Sequence, residues 1–258
     1  MLFLRTFGAD IRRILYQKKT WISITLIVLI LAGAAQNLIR LIGDIDVLTI
    51  CSTGLVESAS FVMTTAVLPI FVYSAAAAED RKNNSVRYFA SRSGIRAYAI
   101  SKFLSALVSA MLTFAIGMVM TVLIFSIWFP LYNGSYNAGD GYFPLVESGK
   151  MISYFIVFLL HYMLSAACFS ATWFLAACCF EETFVAYTLP IMIFFFLQRA
   201  ALSWNIPYWA KPGGLIQSMY DLGSVAKTFW YRALILAVYC LVLGLVGVKV
   251  IERKIRNT

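Results

Sequence analysis

The sequence has little charge for its length. Only 13% of its 258 residues are Asp, Glu, Lys or Arg, whereas 61% are hydrophobic, and the mean hydropathy is +0.81. An ordinary soluble domain carries about 25% charged residues, so this chain cannot cover a water-facing surface with charged side chains. The composition also excludes intrinsic disorder, which needs low hydrophobicity and high charge. What remains is an integral membrane protein with several spans.

Residues that build catalytic and metal centres are also scarce. The chain has one histidine, His161, and its five cysteines form no C-x-x-C pair. The sequence contains no G-x-x-x-x-G-K-[ST], H-E-x-x-H or G-x-S-x-G motif. We therefore expect that the chain is not an enzyme and that it holds no metal, cofactor or nucleic acid of its own. His161 is expected either to hydrogen-bond a neighbouring helix or to bind substrate or relay protons.

Long apolar runs dominate what is present. A helix rises 1.5 Å per residue, so about 20 apolar residues cross the hydrocarbon core of a membrane. The runs predict an all-α integral membrane protein with six transmembrane helices, which form one domain over residues 21–258. The predicted spans are Trp21–Ile39, Ala59–Ala78, Phe103–Phe129, Met151–Phe180, Phe184–Ser203 and Arg232–Ile251.

The connections between the spans differ in charge and character. With the N-terminus inside, most of the 21 Lys and Arg residues fall on the inner side, which predicts that both termini are cytoplasmic. On the outer side, Arg40–Ser58 and Pro130–Lys150 are expected to be polar connections. Residues 204–231 hold Pro207, Pro212 and several aromatics, and they are expected to form a re-entrant or surface-lying element at the outer face.

The first twenty residues precede the first predicted span. Phe7, Ile11 and Ile14 fall on one helical face, and the basic residues lie mostly elsewhere. This pattern predicts an interfacial amphipathic helix over residues 1–20, held by apolar burial and by anionic membrane lipid. The rival interpretation is a signal peptide, because Arg12–Arg13 precede an apolar run that ends in an A-x-A-like site at Ala32–Ala34.

Two prolines lie inside predicted spans, Pro69 in the second and Pro190 in the fifth. Proline removes a backbone hydrogen bond and kinks a helix. Interrupted helices at matching places in two halves of a chain point to a transport pathway, and the alternative is an ordinary kink relieved by packing. Arg199, near the outer end of the fifth span, is expected either to snorkel to the interface or to meet an anionic group in an exit path.

The inner segment Glu79–Lys102 is the most informative part of the sequence. It opens with the acidic pair Glu79–Asp80 and continues as a basic stretch with interspersed apolar residues such as Val86 and Phe89. A solvated loop would not need those apolar side chains. Short helices that lie on the membrane and meet a partner protein are therefore expected.

At this segment the sequence resembles the membrane permease subunit of a type-2 ATP-binding-cassette exporter, in particular the bacterial peptide and lantibiotic exporters. The resemblance rests on Glu79, Asn84-Ser85-Val86, Ser93-Gly94-Ile95-Arg96 and Lys102, and on the layout of the whole chain. That family has an interfacial N-terminal helix, six spans and both termini inside. Asn84 stands where the family usually has glycine, and Ser93 stands where it usually has proline.

The resemblance implies that two such subunits, identical or paralogous, form a pathway in the bacterial plasma membrane. Separate ATPase subunits would carry ATP and Mg²⁺ and would dock on residues 79–102, the cytoplasmic coupling segment. The implied cargo is an amphipathic or hydrophobic peptide, lantibiotic or drug, moved outward, a role connected with antibiotic resistance. The implied coupling residues are Glu79, Asp80, Arg81, Arg87, Arg92, Arg96, Lys102, Glu181 and Glu182. The implied pathway-lining residues are Phe61, Pro69, Phe71, Tyr73, Pro190, Phe194, Phe195 and Arg199.

Two other functions are consistent with the sequence. The paired prolines suit an ion-coupled or facilitative transporter, although such transporters normally place a carboxylate at mid-membrane and none is found there in this sequence. A peptide-sequestering membrane immunity protein would bind the same cargo without stimulating an ATPase.

Overall fold

The structure is a computed structural model that describes residues 2–42, 45–56, 58–74, 76–82, 94–134, 141–180, 182–203, 207, 211–217 and 221–256. Every regular element within these ranges is a helix, so the prediction of an all-α protein is confirmed. The helices are α1 Leu2–Tyr16, α2 Lys18–Ile42, α3 Val47–Val56, α4 Ser58–Phe61, α5 Leu68–Tyr73, α6 Ala76–Lys82, α7 Ile95–Phe125, α8 Pro144–Glu147, α9 Met151–Cys179, α10 Thr183–Ser203, α11 Pro212–Gln217 and α12 Val225–Arg256, with a π-helix at Val62–Val67.

Several of these helices can cross a membrane. In the described part of the chain, four stretches are long and apolar enough, and a fifth is added when α1 and α2 are counted as one span bent by 57°. The apolar stretch Phe184–Leu197 of α10 is shorter than a span. The described part of the chain therefore has four or five helices that are compatible with a membrane protein, and six spans are a prediction. The four are Val62–Asp80, Ile95–Phe125, Met151–Cys179 and Val225–Ile255.

Two long helices extend beyond their predicted spans. Helix α7 has 31 residues, which gives a length of about 46 Å at 1.5 Å per residue, more than the roughly 30 Å of a hydrocarbon core. It begins at Ile95, inside the predicted coupling segment 79–102, directly after Gly94, whose φ of 82° suits glycine. Helix α12 begins at Val225, inside the predicted outer element 204–231.

The connection between the first and second predicted spans is not a polar loop. It contains α3, whose Val47, Leu48 and Leu55 are fully buried and pack in the core with α2. Asp46 caps the start of α3, since its carboxylate accepts a hydrogen bond from the backbone N–H of Thr49 at 2.7 Å. The expectation of a polar connection over residues 40–58 is therefore wrong, because this segment contains a buried apolar helix whose start is capped by Asp46.

Pro69 is the second residue of α5, the helix that follows directly on the π-helix Val62–Val67. Proline donates no N–H to the carbonyl four residues earlier, so a regular α-helical ladder cannot continue through it. The wider turns of the π-helix lie where that ladder is interrupted, and the hydroxyl of Thr65 donates to the carbonyl of Phe61. The predicted irregularity of the second span is thus present, in the form of a π-helix.

The long helices approach each other closely at small residues. Helix α9 packs against both α7 and α12, and α7 also packs against α2. A Cβ atom added at Gly117 would lie 2.8 Å from Ile27 Cγ2, and one added at Gly244 would collide with the Phe103 ring. The hydroxyl of Ser170 donates to the carbonyl of Ala106 at 2.8 Å. Small residues in α7 and α9 therefore serve internal helix packing.

The two ends of the bundle can be told apart by their contacts. Asp10 of α1 reaches the start of α7, and Glu252 of α12 reaches Arg96, also at the start of α7. Lys254 of α12 donates to the carbonyl of Cys179 at the end of α9. These contacts place α1 and the end of α12 on one side of the bundle, which we name the Lys102 end. The opposite side, which contains His161, is the His161 end.

Candidate functional site

The most concentrated polar site lies around Lys102. Lys102 Nζ lies 3.2 Å from Asp10 Oδ1 and 3.1 Å from Asp80 Oδ2, and it donates to Tyr73 Oη at 2.8 Å. Asp80 also accepts a hydrogen bond from the hydroxyl of Tyr98 at 2.9 Å. An ammonium group has three N–H donors, so these three partners use its whole capacity. We name Asp10, Tyr73, Asp80, Tyr98 and Lys102 the Lys102 cluster.

The Lys102 cluster is shielded from solvent. Lys102 and Asp80 each expose only 5% of their surface. The ammonium also lies over the rings of Tyr73 and Tyr98, 5.2 and 5.6 Å from their centroids. A buried ion pair is costly to break, because the remaining charge stays out of water without a partner. The cluster is therefore expected to hold its geometry tightly unless all of its members move together.

The Lys102 cluster joins separate elements of the fold. Asp10 comes from α1, Tyr73 from α5, Asp80 from α6, and Tyr98 and Lys102 from α7. Asp80 and Lys102 stand near the two ends of the segment 79–102, so this segment begins and ends at one ion pair. Any displacement of the segment would thus be transmitted to α1, α5 and α7 together.

Asp10 was not recognised as a site residue from the sequence. It is the only acidic residue among the first 43, in an otherwise basic amphipathic helix. That isolation is the signal that could have identified it, because a lone carboxylate among basic residues has no evident use on a lipid-facing surface. Tyr73 was expected to line a pathway, and the structure places its hydroxyl against Lys102 instead.

The other predicted coupling residues lie around this cluster or outside the described residues. Glu79 pairs with Lys19 at 3.3 Å, and Arg96 pairs with Glu252 at 3.0 Å, both at exposed positions. Glu182 is exposed after the end of α9. The side chain of Arg81, and residues Arg87, Arg92 and Glu181 as a whole, lie outside what the structure describes.

The predicted pathway residues do not form a single lining. Pro190 and Phe194 face a cavity of about 240 Å³ between α9, α10, α11 and α12. Phe61 is buried in the core against Phe169, whose ring also meets that of Phe194 at 5.0 Å. The remaining members are dispersed: Pro69 is buried, whereas Phe71, Phe195 and Arg199 are exposed.

At the other end of the bundle, His161 is held by neutral groups. Its Nε2 lies 3.0 Å from the carbonyl of Ile216, which can only accept, so Nε2 carries the hydrogen. Its Nδ1 lies 3.2 Å from the hydroxyl of Tyr142. The hydroxyl of Tyr162 donates to the carbonyl of Gln217 at 3.1 Å. Of the two roles expected for His161, the structure thus supports hydrogen bonding to a neighbouring element, here the short helix α11.

The Tyr142 ring also receives a cation. The guanidinium of Arg232 lies 5.2 Å from its centroid, and Arg232 is completely buried. The hydrogen bonds of His161 and Tyr162 to the carbonyls of Ile216 and Gln217 attach α11, which lies wholly within the predicted outer element, to α9. Residues 204–206, 208–210 and 218–220 of that element lie outside the described residues.

Within the described ranges, no group of three or more His, Cys, Asp or Glu side chains could hold a metal ion. Each of the five cysteines is reduced and forms no disulfide. The sulfur atoms of Cys168 and Cys240 are 3.5 Å apart.

Comparison of the chain with protein-family models, with curated proteins and with solved structures gives no match.

Proposed function

We propose that this chain is the membrane permease subunit of an ATP-driven exporter, with ATP hydrolysis on separate subunits. The observation that carries the proposal is the Lys102 cluster. It ties both ends of the segment 79–102 to the interfacial helix α1 and to the spans that begin or end there. An ATPase that pushes on this segment would therefore move several helices at once.

The course of the chain supports six passes in this proposal. Helix α2 starts at the Lys102 end, where Lys19 meets Glu79 of α6, and α7 starts there as well. Helices α9 and α12 both finish at that end, since Lys254 bonds the carbonyl of Cys179. Helix α10 begins only four residues after α9 finishes and thus starts from the same side. This alternation agrees with both termini on the cytoplasmic side of a bacterial plasma membrane.

The proposed cargo is amphipathic or hydrophobic, such as a peptide, a lantibiotic or a drug. Two copies of the chain, or this chain with a paralogous permease, would enclose the pathway, and ATP with Mg²⁺ would bind to the ATPase partner. The apolar character of the predicted lining supports this choice, because aromatic side chains such as Phe71 and Phe195 are exposed on their helices.

One observation favours a second candidate, a gradient-driven transporter. Asp10 and Asp80 are two carboxylates around a single lysine in a site shielded from solvent. Carboxylates that face the interior of a helical bundle are typical of proton relays, although these two lie at the end of a span and not at mid-membrane. In that function the cluster would exchange protons, and no ATPase would be needed.

Co-purification separates these functions. The tagged chain is extracted gently from native membranes, and a P-loop ATPase is expected in the purified complex. Arg87→Glu combined with Arg96→Glu should remove the ATPase, because both charges lie in the coupling segment. Lys18→Glu with Arg253→Glu is the matched control, since these exposed cations belong to the same basic region but lie outside the segment.

Each outcome is decisive. If the ATPase is lost in Arg87→Glu with Arg96→Glu but kept in the control variant, the result supports the exporter. If no ATPase accompanies any form, the exporter proposal fails. Gradient-driven uptake into vesicles by the purified chain, abolished by Asp80→Asn, would then establish the second candidate. Cargo binding without either activity would indicate the peptide-sequestering immunity protein.

A further inference from the structure

A cavity of about 240 Å³ lies between four helices, and its lining is almost wholly apolar. Each helix contributes one face, with residues spaced by one, three or four positions, as the helical period requires. The cavity opens beside α10 and α12. The lining comprises Cys168, Phe169, Thr172, Trp173, Pro190, Ile193, Phe194, Leu197, Leu215, Ile216, Ile235, Leu236 and Tyr239.

The hydroxyl and thiol groups on this lining already have hydrogen-bond partners. The Thr172 hydroxyl is bonded to the carbonyl of Cys168 and to the hydroxyl of Tyr239, each at 3.0 Å. The carbonyl of Ile216 is occupied by His161, and the Cys168 thiol donates to the carbonyl of Leu236. A space of this size could hold several waters at about 30 Å³ each, but a water needs two to four polar partners. The cavity is therefore suited to an apolar occupant.

The exposed part of the cavity lining lies on α10 and α12. Ile193, Leu197 and Tyr239 line the cavity, and each exposes 40–45% of its surface. The neighbouring exposed residues of α10 and α12, such as Phe196 and Leu241, are also large and apolar. Residues of this kind on the outside of the candidate span Val225–Ile255 suit contact with the hydrocarbon of a bilayer.

A basic residue lies on the His161 side of this cavity. Lys211 is one turn before Leu215, with which it shares a backbone hydrogen bond of 3.0 Å. Its cation suits the phosphate of a lipid headgroup in the leaflet on that side.

We propose that this cavity binds one acyl chain of a phospholipid from the bilayer, with the phosphate near Lys211. The chain would fill the space between α9, α10 and α12 and would be retained by one subunit as a structural lipid. This binding is separate from the proposed coupling to an ATPase, because it needs only the purified chain and membrane lipid.

Trp173 provides a direct probe. It lines the cavity but exposes only 3% of its own surface, whereas Trp230 exposes 69%. A variant that retains Trp173 alone carries Phe at positions 21, 128, 204, 209 and 230. It is reconstituted in phospholipid whose acyl chains are brominated, since bromine quenches indole fluorescence only at short range. We expect most of the Trp173 fluorescence to be lost, as in the matched variant that retains only Trp230.

Filling the cavity tests whether the quenching chain lies inside it. In the Trp173-only protein, Cys168→Phe places a ring in the cavity and should restore most of the fluorescence. Val242→Phe is the control, since Val242 lies on α12, exposed and off the lining. If Cys168→Phe prevents folding, Leu215→Phe fills the same space from α11. Lys211→Glu should reduce the amount of phospholipid that stays bound in native mass spectrometry.

Three results would overturn the proposal. The first is that brominated chains quench Trp230 but leave Trp173 bright, which would mean that no chain enters. The second is that quenching of Trp173 persists unchanged in both filled variants. The third is efficient quenching of Trp173 by water-soluble acrylamide, which would show that the cavity opens to water and serves a dissolved solute instead.

Discussion

The two ends of the bundle hold their helices together in different ways. At the Lys102 end, an ammonium group and two carboxylates from three helices share a buried site. At the His161 end, neutral side chains bond backbone carbonyls of α11, and the buried Arg232 guanidinium lies over the Tyr142 ring. An ionic cluster depends on every one of its charges, whereas a neutral bond to a carbonyl can be lost singly at modest cost. Substitutions in the Lys102 cluster should therefore have larger effects than substitutions that remove the hydrogen bonds to α11.

The largest effect is expected from Lys102→Met. The substitution leaves Asp10 and Asp80 buried without a counter-charge, which should destabilise the protein by about 3–5 kcal/mol. The measurement is thermal unfolding in detergent, with the exposed Lys150→Met as control. Adding Asp10→Asn and Asp80→Asn to Lys102→Met removes both unpaired carboxylates. This triple variant should recover much of the lost free energy of unfolding. An unchanged melting temperature in Lys102→Met would show that the cluster does not carry stability.

A second comparison uses one hydroxyl at each end. Tyr73→Phe removes an acceptor from the Lys102 ammonium and should cost about 1.5–3 kcal/mol, as for hydrogen bonds to charged groups. Tyr142→Phe removes a partner of neutral His161 and should cost about 0.5–1.5 kcal/mol. Both free energies come from the same unfolding assay. Equal values would remove the distinction between a hydrogen bond to a charged group and one to a neutral group.

His161→Leu should have a moderate effect. Two neutral hydrogen bonds are lost, each contributing about 0.5–1.5 kcal/mol. The carbonyl of Ile216 keeps the hydroxyl of Ser165 as a donor at 3.1 Å, which limits the loss. Amide hydrogen exchange should rise in α11 and remain unchanged at the start of α7. Faster exchange at both ends would mean that the two clusters are coupled through α9.

The smallest effect is expected at the exposed pair of the Lys102 end. Lys19 and Glu79 are 3.3 Å apart, but both side chains are more than a third exposed. Lys19→Ala should therefore change the free energy of unfolding by less than about 1 kcal/mol, and less still at high salt. A loss as large as that of Lys102→Met would show that this pair belongs to the buried cluster.

The long spans could be predicted because their apolar runs are a local signal. Helices α7, α9 and α12 could each be predicted from the length of the apolar run. Their ends could not, because they depend on contacts and backbone conformations such as the positive φ of Gly94 and the hydrogen bond from Lys254 to Cys179. Helix α3 was missed, because ten residues beside Asp46 are too few for a span and too buried for a loop. Its role becomes visible only through packing against α2.

The polar sites were predictable only in part. Asp80 and Lys102 were both named as members of the coupling segment, but nothing in the sequence pairs them with each other. Asp10 lies 92 positions before Lys102, and no local pattern reports a contact over that separation. Hydrogen bonding to a neighbouring helix was one of the two roles predicted for His161, yet its partner is a backbone carbonyl, which any residue type supplies.

The separation between Asp10 and Lys102 also has a consequence for biosynthesis. A ribosome adds about 5–20 residues per second, so the 92 positions between the two residues correspond to an interval of about 5–20 s. During that interval α1 leaves the ribosome, and Asp10 has no ion-pair partner because Lys102 has not yet been synthesised. The N-terminal helix can therefore reach its final position only after the third predicted span begins to insert, and its docking marks a late step in membrane integration.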